Sequence, residues 1–172
     1  MNDPVAGIRE MLSRAVVVLD HAGARDEAIA RFVSPRRRLG FTRPAVMLPL
    51  GRVWRLGVLL LERDATVYAT GSITRVTEPV RPNYQSLSAE QRRGYRAAAF
   101  KGGFAQGETV NFDATVIELD ATQLRSSRGP LFLRGDSALV RWSRSAPDDD
   151  ATDLESYLSD RVSLLVNPPE GA

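Results

Sequence analysis

Residues 52–76, RVWRLGVLLLERDATVYATGSITRV, constrain this chain more than any other stretch. Read as an extended strand, the first half is apolar on both faces. Trp54, Leu56, Val58 and Leu60 fall on one side, and Val53, Leu59 and Leu61 on the other. A strand of that kind is central and covered on both sides. In the second half Val67, Ala69 and Ile73 alternate with Tyr68, Thr70, Ser72 and Thr74, which marks one inward face and one wetter face. The expectation is two long strands, Val53–Leu61 and Thr66–Val76, joined by a tight turn at Asp64-Ala65. That turn sets Val58 opposite Gly71 and Gly57 opposite Ser72. Glycines this close mark a bulge, a bend or the close approach of another group. Gly57, Gly71 and the row Tyr68, Thr70 and Ser72 are therefore the pocket candidates.

The flanking sequence reads as cover for this hairpin. Asn2 or Asp3 caps a first helix, with Pro4 at its first position and Val5, Ile8, Leu12, Ala15, Val16 and Leu19 at helical spacing. A second short helix is expected over Arg25–Val33. Residues 34–51, with three prolines and two glycines, read as a loop, with Ala45–Leu48 as a short strand entering the sheet. Ser88 and Gln91 form a capping box for a helix over 89–100. The connector KGGFAQGE leads into a strand over Thr109–Leu119, and Asp120–Pro130 reads as a loop. A second hairpin, Leu131–Arg134 and Ala138–Ser143, turns at Gly135-Asp136. Thr152 and Glu155 make a capping box for a last helix with Leu154, Tyr157, Leu158, Val162 and Leu165 along one stripe.

This order, rich in hairpins and without a βαβ series, predicts an α+β fold. We expect a curved, mainly antiparallel sheet of five to six strands with two N-terminal helices, one mid-chain helix and a C-terminal helix. A small barrel with helical decoration is the alternative. The expected layout is a single domain over 1–172. Its parts are N-terminal helices in 1–33, a sheet core over 34–145 containing helix 89–100, an acidic linker at 146–151 and the C-terminal helix at 152–166.

Composition removes several chemistries. There is no cysteine, so disulfides, thiolate metal sites and a cysteine nucleophile are excluded. The one histidine, His21, lacks the partners that a catalytic triad or a histidine-rich zinc site needs. Glu108, Asp113, Glu118 and Asp120 cluster in sequence, but they read as strand faces and turn caps. No metal and no cofactor is expected. No apolar run approaches the length of a membrane span, and the N-terminus lacks signal-peptide character. We expect a soluble cytoplasmic protein with no membrane partner.

The charge is uneven. Residues 1–145 carry 22 basic and 14 acidic side chains, whereas 146–172 carry one arginine and seven acids. The stretch Ala28–Leu61 has no acid and seven arginines. Two groups stand out as anion-binding candidates: Arg36, Arg37 and Arg38 in the proline-rich segment, and Arg92, Arg96 and Lys101 on the mid-chain helix. Arg92 and Arg96, four apart, share a helix face. Such side chains meeting phosphates give salt-dependent binding. No nucleic-acid motif accompanies them and aromatics do not interleave with the arginines, so a solvated basic face is the stronger reading.

The hairpin, the AAAFKGGFAQGETVNFD segment, PLFLRGDSALVRW and the closing DLESYLSDRVSLLVNPPEGA together resemble a family of small bacterial proteins without an assigned function, sometimes labelled glutaminase. The resemblance covers the chain from about Gly51 onward. Serine-dependent glutaminases use an S-x-x-K pair. Lys101 is the only lysine here and position 98 is Ala98, so that pair is absent. The functional expectation is a non-catalytic interaction or ligand-binding domain, acting as a homodimer. The alternatives are an anion or nucleic-acid binder through the arginine clusters, and a small hydrolase using carboxylates or a serine. No small-molecule ligand is assigned.

Overall fold

The computed structural model describes residues 3–38, 40–78, 87–143 and 146–168, with Arg38 described by its backbone alone. Helix α1 (Pro4–His21) begins as its sequence dictates. The Asp3 carboxylate accepts the Val5 N–H at 3.0 Å, and Val5, Ile8, Leu12, Ala15 and Leu19 are buried. The expected second helix does not form. Glu27–Val33 is strand β1, with Ala28, Ile29 and Ala30 buried in succession. A short buried apolar run suits a helix or a strand equally, and here pairing with a distant partner decides.

The expected loop at 34–51 also carries structure. Strands β2 (Arg36–Arg38) and β3 (Phe41–Arg43) pair antiparallel, and β4 runs from Val46 to Leu56. Pro49 does not interrupt β4, because the strand is exposed around it.

The expected single strand Val53–Leu61 is two strands. β4 reverses at Gly57-Val58 into β5 (Leu59–Leu61), with Trp54 opposite Leu61 and Leu56 opposite Leu59. Gly57 has φ +63°, which a two-residue hairpin turn assigns to glycine at its first central position. The same turn is tied down by Tyr157. Its hydroxyl donates to the Leu56 carbonyl at 2.7 Å and accepts the Val58 N–H at 2.9 Å. β6 (Val67–Ala69) then pairs with β5, one residue out of the expected register, so that Leu60 faces Tyr68. The loop between them closes when the Asp64 carboxylate accepts the Thr66 N–H at 2.8 Å.

β7 (Ser72–Arg75) precedes α2 (Leu87–Lys101). The helix begins before Ser88, so the expected capping box there is not its start. The expected strand Thr109–Leu119 breaks at Asp113 into β8 (Thr109–Phe112) and β9 (Thr115–Val116). Asp113 has φ +55°, outside the extended region that a continuous strand needs. Asp120 then caps a short helix, α3 (Ala121–Ser126), inside the expected loop. β10 (Leu131–Arg134) and β11 (Ser137–Val140) form the hairpin expected about Gly135-Asp136. A short 3-10 turn, Asp148–Asp150, leads into β12 (Thr152–Asp153) and α4 (Leu154–Val166). Asp153, not Thr152, caps α4: its carboxylate accepts the Ser156 N–H at 2.9 Å, while both residues also pair with β11.

The fold is α+β, with four helices among the described residues. The main sheet has seven strands in the order β7-β8-β1-β4-β5-β6-β9. It is mixed, because β1 and β8 run parallel, and it is open, which sets aside the barrel alternative. The expectation of five to six mainly antiparallel strands missed the parallel pair, whose partners lie far apart in sequence. A separate three-stranded sheet has the order β10-β11-β12.

By its contacts the chain divides into two compact units. The first comprises 1–26, 53–70 and 115–172, and the second 27–52 and 71–114. The first unit's core joins Leu12 and Leu19 of α1, Trp54, Leu56, Leu59 and Leu61 of the hairpin, and Leu154, Tyr157 and Leu158 of α4. The second unit's core joins Ala28 and Ala30 of β1, Met47, Val110, Phe112 and the α2 residues Ala98 and Ala99. No helix among the described residues is long and apolar enough to cross a membrane.

Candidate functional site

Assigning charges to the two units changes the picture given by the linear sequence. The second unit carries 12 basic and 5 acidic residues, a net of +7, and the first carries 11 basic and 16 acidic, a net of −5. Within the second unit Glu108 is already committed. It pairs with Arg52 and accepts the Ala105 N–H at 3.0 Å. Glu27 is likewise engaged, accepting from the buried Asn111 side chain at 2.8 Å. Little acid remains to balance the exposed arginines.

The β2–β3 ribbon is an exposed basic element of this unit, with Arg36, Arg37 and Arg43 all exposed. Its register places Arg36 directly opposite Arg43, Arg37 opposite Thr42, and Arg38 opposite Phe41. Strand side chains alternate faces, so Arg36, Arg43 and Phe41 share one face of the ribbon and Arg37 takes the other. Like charges directly opposite one another across a ladder are destabilising. Among the described residues neither Arg36, Arg37 nor Arg43 has an acidic partner. Phe41 is 80% exposed.

The α2 cluster is also in the second unit. Arg92, Arg96 and Lys101 are exposed, and Arg92 folds back so that its Nε donates to the Ser88 carbonyl at 3.2 Å. Tyr95 packs edge-on to Phe32 with ring centroids 5.2 Å apart. No hydrogen bond or ion pair among the described residues joins the ribbon to α2.

Two of the five pocket candidates are glycines packed closely against neighbouring groups. Gly57 abuts the Tyr157 hydroxyl and Gly71 abuts the main chain of Asp113. Gly71 and Ser72 lie in the second unit, Gly57, Tyr68 and Thr70 in the first. Tyr68 is half-buried and its hydroxyl donates to Glu62 at 3.1 Å. Burial, reinforced by the Glu62 carboxylate, pushes its pKa up to about 12. Thr70 lines a cavity. This cavity, about 380 Å³, lies in the first unit and is walled by Val58, Thr115, Arg128, Pro130 and Arg141 as well.

Arg141 shows why the positive charge around this cavity is largely spent. The guanidinium is buried, stacks 3.8 Å over Phe132, and donates to Asp148 at 2.7 Å and to the Gly129 carbonyl at 2.5 Å. The hydrogen bond from Arg141 holds the Asp148 carboxyl below the usual carboxylate range. Arg134 and Arg125 have their own partners in Asp149 and Asp136, both at 3.4 Å. The Asp148–Asp150 run, expected to sit in a linker, thus supplies counter-charges to the β10–β11 hairpin. A second hollow of about 420 Å³ lies between α1 and α4. It is lined by Met11, Ala15, Val18, Leu158 and Val162, with the Arg14–Glu155 pair at 3.6 Å also on its wall.

No group of three or more histidine or acidic residues able to hold a metal occurs among the described residues. His21 ends α1, where a basic side chain suits the helix C-terminus. Asp120 serves as the α3 cap, its carboxylate accepting the Gln123 N–H at 2.9 Å.

Sequence reasoning missed that an aromatic shares a face with the arginines, because 34–51 was read as irregular. The available signal was the spacing RRR-x-Gly40-Phe-Thr-Arg, two short runs about an x-Gly pair, which is a hairpin pattern. Compared with known proteins, the chain matches no family model, no curated protein and no solved structure, so no such match stands behind the resemblance drawn from its sequence.

Proposed function

We propose that this protein is a non-catalytic binding protein whose second unit holds a phosphate-rich polyanion. The observation that carries the reading is the Arg36–Arg43 pair: two arginines lie opposite each other across the ribbon with no acidic partner among the described residues, in a unit of net charge +7. An anion placed against that face turns mutual repulsion into shared attraction, and arginine's planar fork suits phosphate oxygens. Arg37, and Arg92, Arg96 and Lys101 on α2, extend the same positive field.

The test is a binding titration of the full chain against labelled polyanions at low and moderate salt. Affinity should fall steeply between about 50 and 200 mM salt, as counterion release requires. The double change Arg36→Ala/Arg43→Ala should weaken every polyanion. Absence of binding at low salt, or affinity indifferent to salt, would sink the reading.

The cavity beside Thr70 supports a second reading, a small-ligand site in the first unit. Arg128 is its one cationic wall residue besides the committed Arg141. A thermal-shift screen of small carboxylates and phosphates tests it. A ligand that stabilises the wild type but not Arg128→Ala favours it, and a screen without any shift removes it.

A further inference from the structure

Phe41 makes the ribbon chemically more selective than a patch of charge. It is a large aromatic ring, 80% exposed, on an element exposed at Arg36, Arg37 and along β3. The register places it on the same face as Arg36 and Arg43, two residues from Arg43 along β3. A ring there makes no contribution to phosphate attraction. Left in water it is a cost, and nothing in the second unit's core covers it. The combination of a cationic track and an exposed ring on one face matches one class of partner: a single strand of nucleic acid. Its phosphates follow the arginines while an unpaired base stacks on the ring. A duplex hides its base faces, and a polyanion without bases offers none.

We infer that the β2–β3 ribbon binds single-stranded nucleic acid, with Phe41 as a base-stacking platform and Arg36 and Arg43 as phosphate contacts. The inference rests on the polyanion reading above and names the partner for it. The two predict different patterns of loss, so they fail separately.

The experiment measures anisotropy of the full chain with three labelled probes of equal length: a pyrimidine single strand, the same backbone without bases, and a duplex. The single strand should bind most tightly. Phe41→Ala should weaken it about 5- to 100-fold, the range of base–aromatic stacking, and bring it level with the abasic probe. Phe41→Trp should keep the preference, which separates stacking from any effect on folding. Arg43→Ala should weaken the single strand and the abasic probe alike and reduce the single-strand salt slope by roughly 0.7. Equal affinity for the single strand and the abasic probe would overturn the inference while leaving the polyanion reading in place. So would a preference for duplex, or an unchanged affinity in Phe41→Ala. A dimer that Phe41→Ala converts to monomer, with polymer affinity unchanged, would assign the ring to a second copy of this chain and also overturn it. Failure of all three probes to bind at low salt removes both proposals together.

Discussion

Gly71 lies against the main-chain carbonyl of Asp113, so close that a β-carbon could not be added without displacing backbone. The next residue, Ser72, faces Phe112 in β7–β8. Asp113 departs to φ +55° at the same level. Gly71→Ala should therefore destabilise by about 1–3 kcal/mol, as overpacking does. Gly94, an exposed position inside α2 with open space beside it, is the control. Gly94→Ala should stabilise by about 0.5–1 kcal/mol through helix propensity. Urea titrations of both variants decide the matter: equal effects would contradict the contact.

Tyr157→Phe removes one hydroxyl and strands two backbone groups, the Leu56 carbonyl and the Val58 N–H. Leaving buried polar groups unpaired costs about 1–3 kcal/mol. Hydrogen exchange should quicken at Val58 before it does at Leu61. A melting point equal to that of the wild type would show that water replaces the hydroxyl.

Ala65 holds φ +67°, a strained value for a side chain other than glycine. Ala65→Gly should raise stability by about 0.5–1 kcal/mol by relieving that strain. Calorimetry showing no gain would mean that the glycine's added freedom in the unfolded chain offsets the relief.

Stability should decline at both ends of the pH scale. Asp153 is held below the usual carboxylate range by the Ser156 N–H, and Asp64 by the Thr66 N–H. A lowered folded pKa gives stability that is present above the unfolded value of about 4. That stability is lost as pH falls through the lower folded value. Asp153→Asn still caps the helix but does not titrate, so it should flatten the acid limb. Tyr68, raised to about 12 first by burial, works the other way. Its contribution is intact below the unfolded value of about 10 and fades as pH climbs toward 12. Tyr68→Phe should remove that alkaline component. Melting temperatures between pH 2 and 12 would check both limbs.

Arg43→Glu should raise thermal stability while weakening polyanion binding. The change replaces a like-charge cross-strand pair with an opposite one facing Arg36. Parallel loss of stability and binding would indicate that the variant disturbs the ribbon itself.

Burial at the centre of the chain was legible from sequence, but the path was not. Val53, Trp54, Leu56 and Leu59–Leu61 are all buried, as a two-faced apolar run requires. The run nevertheless reverses at Gly57-Val58. Its reversal looked less marked than the polar Asp64-Ala65 turn because apolar residues flank it. β1 was misread for a related reason: a strand whose parallel partner, β8, lies some eighty residues away leaves no local pattern of pairing. α1 and the turn of the β10–β11 hairpin carry their own cap and turn signals and form where expected, although β11 ends at Val140, short of the expected Ser143. The site was half legible. The arginines were visible as a cluster, but the face shared by Arg43 and Phe41 exists only once the ribbon's register is known.

The chain passes between its two units four times, at 26/27, 52/53, 70/71 and 114/115. Neither unit corresponds to one continuous gene segment, so neither can be expressed by simple truncation. During synthesis the second unit is complete at residue 114, before β10, β11 and α4 have been made. Trp54, Leu56, Leu59 and Leu61 emerge early, yet their core partners Leu154, Tyr157 and Leu158 come last. With α1 as the one earlier-made partner in that core, the nascent chain carries its most hydrophobic hairpin only partly covered through much of translation, the interval in which a holding chaperone would matter most.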